Sequence, residues 1–253
     1  MPTALALSPH LDDAAFSCGG TLATLADDGW RVAMATLFTQ SVAAPTGFAL
    51  ACQTDKGLDA SVDYMRLRRA EDAAAARALG IDAPRHLPFR EAPHRGYGSA
   101  PELFGDPRSD DRIVDALAPA LAALIRETEP DLILAPQAIG GHVDHVQAVA
   151  AFRRVAPDRP VLWWRDFPYT VRSAAPKAPL QASFAGLPAR AVVLDTRAQA
   201  RKAEACAAYA TQVGFQFGGR EGLIARLGAE RGWERFAVGG RLPAGFPGSD
   251  AAA

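Results

Sequence analysis

Two short segments hold residue types that suit metal-assisted hydrolysis: His10-Leu11-Asp12-Asp13 and His142-Val143-Asp144-His145. Together they contain three of the five histidines in the chain. Two imidazoles and one carboxylate make a three-donor set for a catalytic zinc, with a fourth position left open for water. Zinc lowers the pKa of such a water and polarises a carbonyl, provided that a nearby base takes the proton. Adjacent Asp12 and Asp13 offer that division of labour, one carboxylate binding the metal while its neighbour stays free. Each segment alone has an ordinary structural reading. An Asp-Asp pair at a strand end commonly caps a helix, and a lone His-x-Asp-His is as often surface or core as ligand. Their conjunction at two predicted strand ends favours a metal site, and the same nitrogen and oxygen donors also accept Fe2+, cobalt or manganese.

The hydropathy pattern supplies the elements needed to bring the two segments together. Thr3 to Ser8 is a short apolar run ending at Pro9, as in a buried strand whose carboxyl end delivers residues 10 to 13. Gly20 to Asp28 has helical spacing and stops at Gly29, after which Arg31 to Phe38 reads as a second strand. An Ala-rich amphipathic helix is expected over Tyr64 to Leu79, ended by Gly80, and a strand over His86 to Phe89. A helix from Asp111 to Thr128 precedes an apolar strand, Asp131 to Pro136, just ahead of Gly140-Gly141-His142. Further strands are expected at Val161 to Asp166 and Ala191 to Asp195, with helices at Ala198 to Tyr209 and Glu221 to Arg231. This alternation predicts an α/β, Rossmann-like fold: a mainly parallel sheet flanked by helices, with its active site at the strand carboxyl ends. Segments 40–61 and 91–107 lack clear periodicity and are expected to be long loops, the first over the active site. Residues 1–238 are expected to form one domain, and the Gly/Pro/Ala-rich stretch 239–253 a flexible C-terminal tail.

Composition narrows the function classes. Hydrophobic residues at 49% and charged residues at 22% are ordinary for a globular protein. A net charge of -1 leaves no electrostatic footprint for nucleic acid or an anionic membrane. No apolar run is long enough to span a bilayer, and Met1 to Leu7 is too short and lacks the basic region of a signal peptide. Cys18, Cys52 and Cys206 are widely spaced with no Cys-x-x-Cys pair, which argues against a disulfide framework and a thiolate zinc site. A cytoplasmic protein is the resulting expectation. The Gly218-Gly219 and Gly239-Gly240 pairs read as turns and form no Gly-x-Gly-x-x-Gly fingerprint, so no nucleotide cofactor is expected.

Ser8-Pro9-His10-Leu11-Asp12-Asp13, followed by Ser17-Cys18-Gly19-Gly20, resembles the signature of the LmbE-like (PIG-L) deacetylases, in which a His-Pro-Asp-Asp segment precedes a Gly-Gly pair. His142 to His145 is similar to that family's second motif. Arg68, Glu71, Ala75, Leu79 and Gly80 resemble its Arg-x-x-Glu helix, and Lys202, Tyr209 and Gln212 its late Lys and Tyr-x-x-Gln pattern. The four matches occur in order over residues 8 to 212. The resemblance implies that His10, Asp13 and His145 bind Zn2+ and that Asp12 is the general base. It further implies that His142 faces the substrate carbonyl, with Asp144 orienting its imidazole, and that the reaction removes an acetyl group from an N-acetylated amino sugar. Leu11 and Val143 stand where relatives have proline, which alters backbone stiffness and removes no ligand. Ala14 stands where many relatives have Glu, so no role for that acid carries over. Glu91 stands where many relatives have Asp, extending the carboxylate by one methylene.

Arg68, Glu91 and Arg95 are candidate substrate-binding residues, Arg68 weighed against a solvated arginine or one paired with Glu71. His94 is expected at the surface and His86 to be structural, while Tyr209 and Gln212 are expected to pack helix to sheet or support the site. Of Trp163 and Trp164, one is expected in the core and the other at a pocket, where stacking on a sugar is a minor reading. Two other functions compete with amino-sugar deacetylation: a zinc hydrolase for another amide or ester, and an inactive carbohydrate-binding protein on the same fold. Retention of Asp12 argues against the latter, since binding alone needs no base.

Overall fold

The computed structural model describes residues 1–244, 246 and 247, and the backbone of 249 and 250. Eight strands lie among them: β1 (Thr3–Ser8), β2 (Arg31–Thr36), β3 (Arg85–His86), β4 (Leu132–Pro136), β5 (Val161–Trp164), β6 (Ala189–Val193), β7 (Trp233–Gly239) and β8 (Ser249–Asp250). They form one sheet in the order β3-β2-β1-β4-β5-β7-β6-β8. Pairing is parallel from β3 through β5 and antiparallel from β5 onward. Because β1 and β4 are parallel neighbours, the turns that follow them leave the same edge of the sheet. That adjacency brings His10 and His142 together across more than half the chain length.

Alternation along the strands divides the core. Ala4, Ala6, Leu132, Leu134, Leu162 and Trp164 face one layer of apolar packing. Leu5, Leu7, Ile133, Ala135, Val161 and Trp163 face the other. The helices are α1 (Asp13–Asp27), α2 (Gly47–Thr54), α3 (Tyr64–Leu79), α4 (Ala100–Leu103), α5 (Ile113–Thr128), α6 (Val143–Val155), α7 (Tyr169–Arg172), α8 (Thr196–Ala207), α9 (Ala210–Phe217) and α10 (Arg220–Ala229). α1, α3 and α8 pack together on the first layer, and α5 pairs with α6 on the second.

Helix α1 begins directly after Asp12, seven residues before the expected start at Gly20, and breaks at Cys18, where φ is -138°. Beyond the break the Gly20 and Thr21 N–H groups donate to the buried Glu234 carboxylate at 2.9 and 2.7 Å. A Cβ at Gly20 would lie 2.2 Å from the Leu194 side chain, so any larger residue would have to displace that leucine for helix and strand end to approach this closely. β7, which the hydropathy pattern did not reveal, is a central antiparallel strand. Its alternation is interrupted at Glu234, a charged residue in a core position held by the α1 amides and Lys202. Both expected loops contain structure: α2 lies in 40–61, and α4 with a 3-10 turn (Ala92–Arg95) in 91–107. The helix expected to Tyr209 stops at Ala207 and a separate α9 follows. Trp163 and Trp164 are both core residues on opposite faces of the sheet, which corrects the pocket reading for either ring. Within the expected tail, Gly239 closes β7, Phe246 is buried and β8 pairs with β6, while residues 245, 248 and 251–253 lie outside the described residues. No helix among the described residues is long and apolar enough to cross a membrane.

Candidate active site

The turn after β1 is shaped by Ser8, whose hydroxyl donates to the His10 carbonyl at 2.6 Å and accepts from the Ala14 N–H at 3.0 Å. It sets His10 and Asp12 ahead of α1 and places Asp13 in the helix's first turn, where a carboxylate is favoured by the helix dipole. After β4 the chain turns through Gly140 and Gly141, both at positive φ, into α6 with His142 as N-cap. A Cβ at Gly140 would meet the Tyr169 ring at 2.4 Å. The His142 Nδ1 accepts from the Asp144 backbone N–H at 3.2 Å, which leaves the proton on Nε2.

Three donor atoms form a compact triangle. Asp13 Oδ2 lies 3.4 Å from His10 Nδ1 and 3.1 Å from His145 Nε2, and the two ring nitrogens are 3.3 Å apart. A tetrahedral zinc with bonds of about 2.0–2.2 Å separates its donors by about 3.3–3.6 Å, so the triangle fits one face of such a centre within a few tenths of an ångström. The opposite nitrogen of each ring is held by a buried carboxylate: His10 Nε2 by Asp144 at 2.9 Å, and His145 Nδ1 by Asp166 at 2.8 Å. Those bonds fix the tautomers and turn a lone pair of each ring toward the triangle. His142 also falls nearby, and His10, His142 and His145 can each bring one ring nitrogen within 4.8 Å of the others. That three-imidazole grouping is wider than the triangle, and His142 Nδ1 is already engaged by a backbone amide. The His10, Asp13 and His145 set is the better cradle.

The field around the triangle is negative. Burial alone would lower the proton affinity of His10, but Asp13 and Asp144 outweigh it and raise the pKa to about 9. Burial likewise opposes the charged form of His145, and Asp13 and Asp166 overcome it, holding that pKa well above the usual histidine range. Surroundings that favour positive charge on two imidazoles favour a divalent cation between them. Burial, then the adjacent Asp13 carboxylate, pushes Asp12 up to about 7 against the pull of Arg68 and His10. Burial and the charge on His10 bring His142 down to about 3, so its ring is neutral.

Asp144 corrects the expectation that its carboxylate orients His142. Its Oδ2 lies 4.0 Å from His142 Nδ1, and the carboxylate instead binds His10, the Ala92 N–H at 3.0 Å and Arg95 Nη2 at 2.7 Å. Arg95 is corrected with it. Its guanidinium lies beneath the site, bonded to Asp111, Asp144 and Gln147 and packed over Phe38, and it does not border the cleft. Arg68 and Glu91 do line the cleft, joined at 2.5 Å, with Arg68 Nη2 3.9 Å from Asp12. Arg68 is buried rather than solvated, and its Nε has no partner. Glu71 binds Thr211 instead. His86 is structural, bonded to Asp72, which also receives the Tyr209 hydroxyl. Gln212 lines the cleft and His94 lies off it.

Sequence reasoning missed Asp166, although an acid at the end of a predicted strand was the same signal that singled out His10 and His142. It also missed Tyr169 on the cleft wall and Gln216, whose Nε2 donates to Asp12 Oδ2 at 3.1 Å. No local pattern marks Gln216, because α9 reaches the site only through the fold.

A mixed sheet with a His/Asp cradle at the carboxyl edge of its parallel half, beside a second carboxylate and a neutral histidine, defines a class of metal-site α/β protein. The chain belongs to the PIG-L family: residues 5–156, more than half of it, match the family model described as GlcNAc-PI de-N-acetylase. It is 40% identical over 167 residues to 2'-N-acetylparomamine deacetylase of Streptomyces fradiae, a match covering 65% of this chain and 57% of that one. The chain thus spans little more than half the length of that curated relative. Among solved structures it resembles A40926 pseudoaglycone deacetylase, with 31% identity, a TM-score of 0.78 and coverage of 95% and 98% of the two chains. It also resembles the zinc-inhibited form of teicoplanin deacetylase, with 27% identity, a TM-score of 0.77 and coverage of 94% and 98%.

Proposed function

We propose that this protein is a zinc-dependent N-deacetylase that releases acetate from an N-acetylated amino sugar in a small glycoside or glycoconjugate. The observation that carries this reading is the donor triangle of His10, Asp13 and His145, set beside an Asp12 carboxylate that the triangle does not use. The named activities of the relatives, on acetylparomamine, teicoplanin and A40926 pseudoaglycone, support the amide substrate. The single sheet supports one domain, which β7 and β8 carry beyond residue 238, and three free cysteines suit a reducing, cytoplasmic setting.

His10, Asp13 and His145 would hold the metal, which when bound makes a water acidic near neutral pH and polarises the acyl carbonyl. Asp12, steadied by Gln216, takes the proton of the attacking water as the new carbon–oxygen bond forms. His142, neutral and protonated on Nε2, donates to the carbonyl oxygen as negative charge gathers there. The carbon–nitrogen bond then breaks as Asp12 passes its proton to the departing nitrogen, leaving acetate and a free amine. Arg68 and Glu91 border the same cleft as donor and acceptor for sugar hydroxyls.

The test is acetate release from N-acetylglucosamine, N-acetylated paromamine-type sugars and aryl N-acetylglucosaminides. Release by zinc-loaded protein that disappears with chelator and in Asp12→Ala supports the reading. Tight binding of one zinc per chain with no acetate from any of these amides would favour a different acyl substrate or a binding role.

A further inference from the structure

A base that must take a proton from one water needs its carboxylate held in one orientation, and the groups that hold Asp12 come from outside both motifs. Asp12 Oδ2 accepts from Gln216 Nε2 at 3.1 Å, and Gln216 stands in the last turn of α9, 204 residues further along the chain. A glutamine amide has nearly the same shape either way round, with donors at one end and an acceptor at the other. Turned over, it would set Oε1 against the Asp12 carboxylate, acceptor against acceptor. Arg172, at the end of α7, removes that alternative. A single nitrogen of its guanidinium, Nη2, donates to Gln216 Oε1 at 3.3 Å and to the Gln216 main-chain carbonyl at 3.1 Å. A guanidinium only donates, so it claims the oxygen end of the amide and leaves the N–H end to Asp12. Because both acceptors belong to one residue, the pair of bonds also fixes the Gln216 side-chain torsions.

Capping of α9 accounts for only half of this contact. The Gln216 carbonyl lies in the last helical turn, where it lacks an intrahelical partner, and an arginine there is an ordinary cap. The second bond, to Oε1, adds nothing to a cap and bears only on the amide. The start of α9 is held separately: the Thr211 N–H and hydroxyl donate to Glu71 at 2.8 and 2.6 Å, and Gln212 Nε2 donates to the Tyr64 hydroxyl at 2.8 Å. An eight-residue helix, marginal by itself, is thus tied to α3 at one end and to α7 at the other. The segment that carries Arg172 supports the other proposed groups as well. Asp166 holds His145 at 2.8 Å, and the Tyr169 ring lies against Gly140, in the turn that leads to His142.

Resting on the deacetylase reading, in which Asp12 is the base, we propose that Arg172 and Gln216 are its positioning residues. Arg172 fixes the sense of the Gln216 amide, and that amide holds the Asp12 carboxylate in one orientation beside the donor triangle. Arg172 therefore acts on the reaction only through Gln216. Arg172 is exposed and Gln216 half-buried, so replacing either leaves the core intact.

Side-chain amide NMR spectra of the zinc-loaded protein read the orientation without turnover, with the Gln216 signals identified by their absence in Gln216→Glu. The two Gln216 amide protons should be displaced from free glutamine and slow to exchange with water. Arg172→Met should return both to the free position, and Asp12→Ala should shift them. Acetate release from phenyl N-acetylglucosaminide is measured on the same proteins. Arg172→Met should lower kcat on the order of tenfold, with KM and zinc affinity unchanged. Made in Gln216→Met, the same substitution should cost less than about twofold more. Gln216→Glu keeps an acceptor for Arg172 and the cap on α9 but turns an oxygen toward Asp12, so its kcat should fall at least as far as that of Gln216→Met. A helix cap alone would give losses that multiply and an active Gln216→Glu. Free amide signals in the wild type, signals unmoved by Arg172→Met, or multiplying losses would overturn the proposal. No acetate from the wild type would count against the deacetylase reading alone, since the spectra still decide whether Arg172 orients Gln216 on Asp12.

Discussion

Asp12 and Asp13 are chain neighbours whose surroundings drive their carboxyls in opposite directions. Burial and the Asp13 charge raise Asp12 to about 7, whereas His145 and hydrogen bonds from both histidines overcome burial at Asp13 and hold it well below the usual range. On the deacetylase reading, such separation of two carboxylates divides proton transfer from metal binding. Asp12→Ala is expected to lower acetate release by about 10²–10⁴-fold while the protein retains its zinc, measured by metal analysis of the same sample. Loss of zinc in that variant would assign Asp12 to the ligands. Asp166 acts one step further out, since its carboxylate aims the His145 ring. Asp166→Asn should weaken zinc affinity by about 10–100-fold, read by competition with a chromophoric chelator; unchanged affinity would remove it from the metal site. The residue types and order in both motifs were legible in the sequence. The partner of His10 was not, because Asp144 chooses between two nearby imidazoles by the rotation of α6 and the pull of Arg95.

At the scale of elements, the break in α1 and the buried charge on β7 are one device. Glu234 receives the amides freed at the break and the Thr21 hydroxyl, and it also neutralises Lys202 at 2.8 Å. Glu234→Ala leaves two amides without their acceptor and weakens the pairing of a buried lysine. A loss of about 3 kcal/mol or more is expected in urea unfolding, and a change below about 1 kcal/mol would show that water or Glu230 replaces it. Gly140→Ala tests the second turn. It meets both a positive φ and the Tyr169 ring, so stability should fall by about 1–3 kcal/mol, with loss of activity from displacement of the cleft wall. β1, β2, α3 and β4 were legible because their apolar periodicity is uninterrupted. β7 was hidden by Glu234 at a core position, and α2 and α9 by short lengths whose stability comes from packing over the cleft rather than from local preference.

For the whole molecule, the proposed site would link zinc binding to folding, since its three donors come from segments more than 130 residues apart and converge only in the folded chain. Free zinc at about 100 times its dissociation constant should stabilise the protein by about 2.7 kcal/mol, raising the melting temperature by about 5–10 °C. Chelator should reverse the shift, and Asp13→Ala should show little of it; an equal shift in that variant would place the zinc elsewhere. The sequence by itself determined the α/β class and the parallel half of the sheet, the two motifs and their place at strand ends, because these follow from local periodicity and residue chemistry. Only the tertiary structure decided which carboxylate holds which imidazole, that Arg95 lies beneath the site while Arg68 enters the cleft, and that α2 and α9 border it. Those outcomes depend on contacts between distant segments, whose geometry is set by how the helices pack on the sheet.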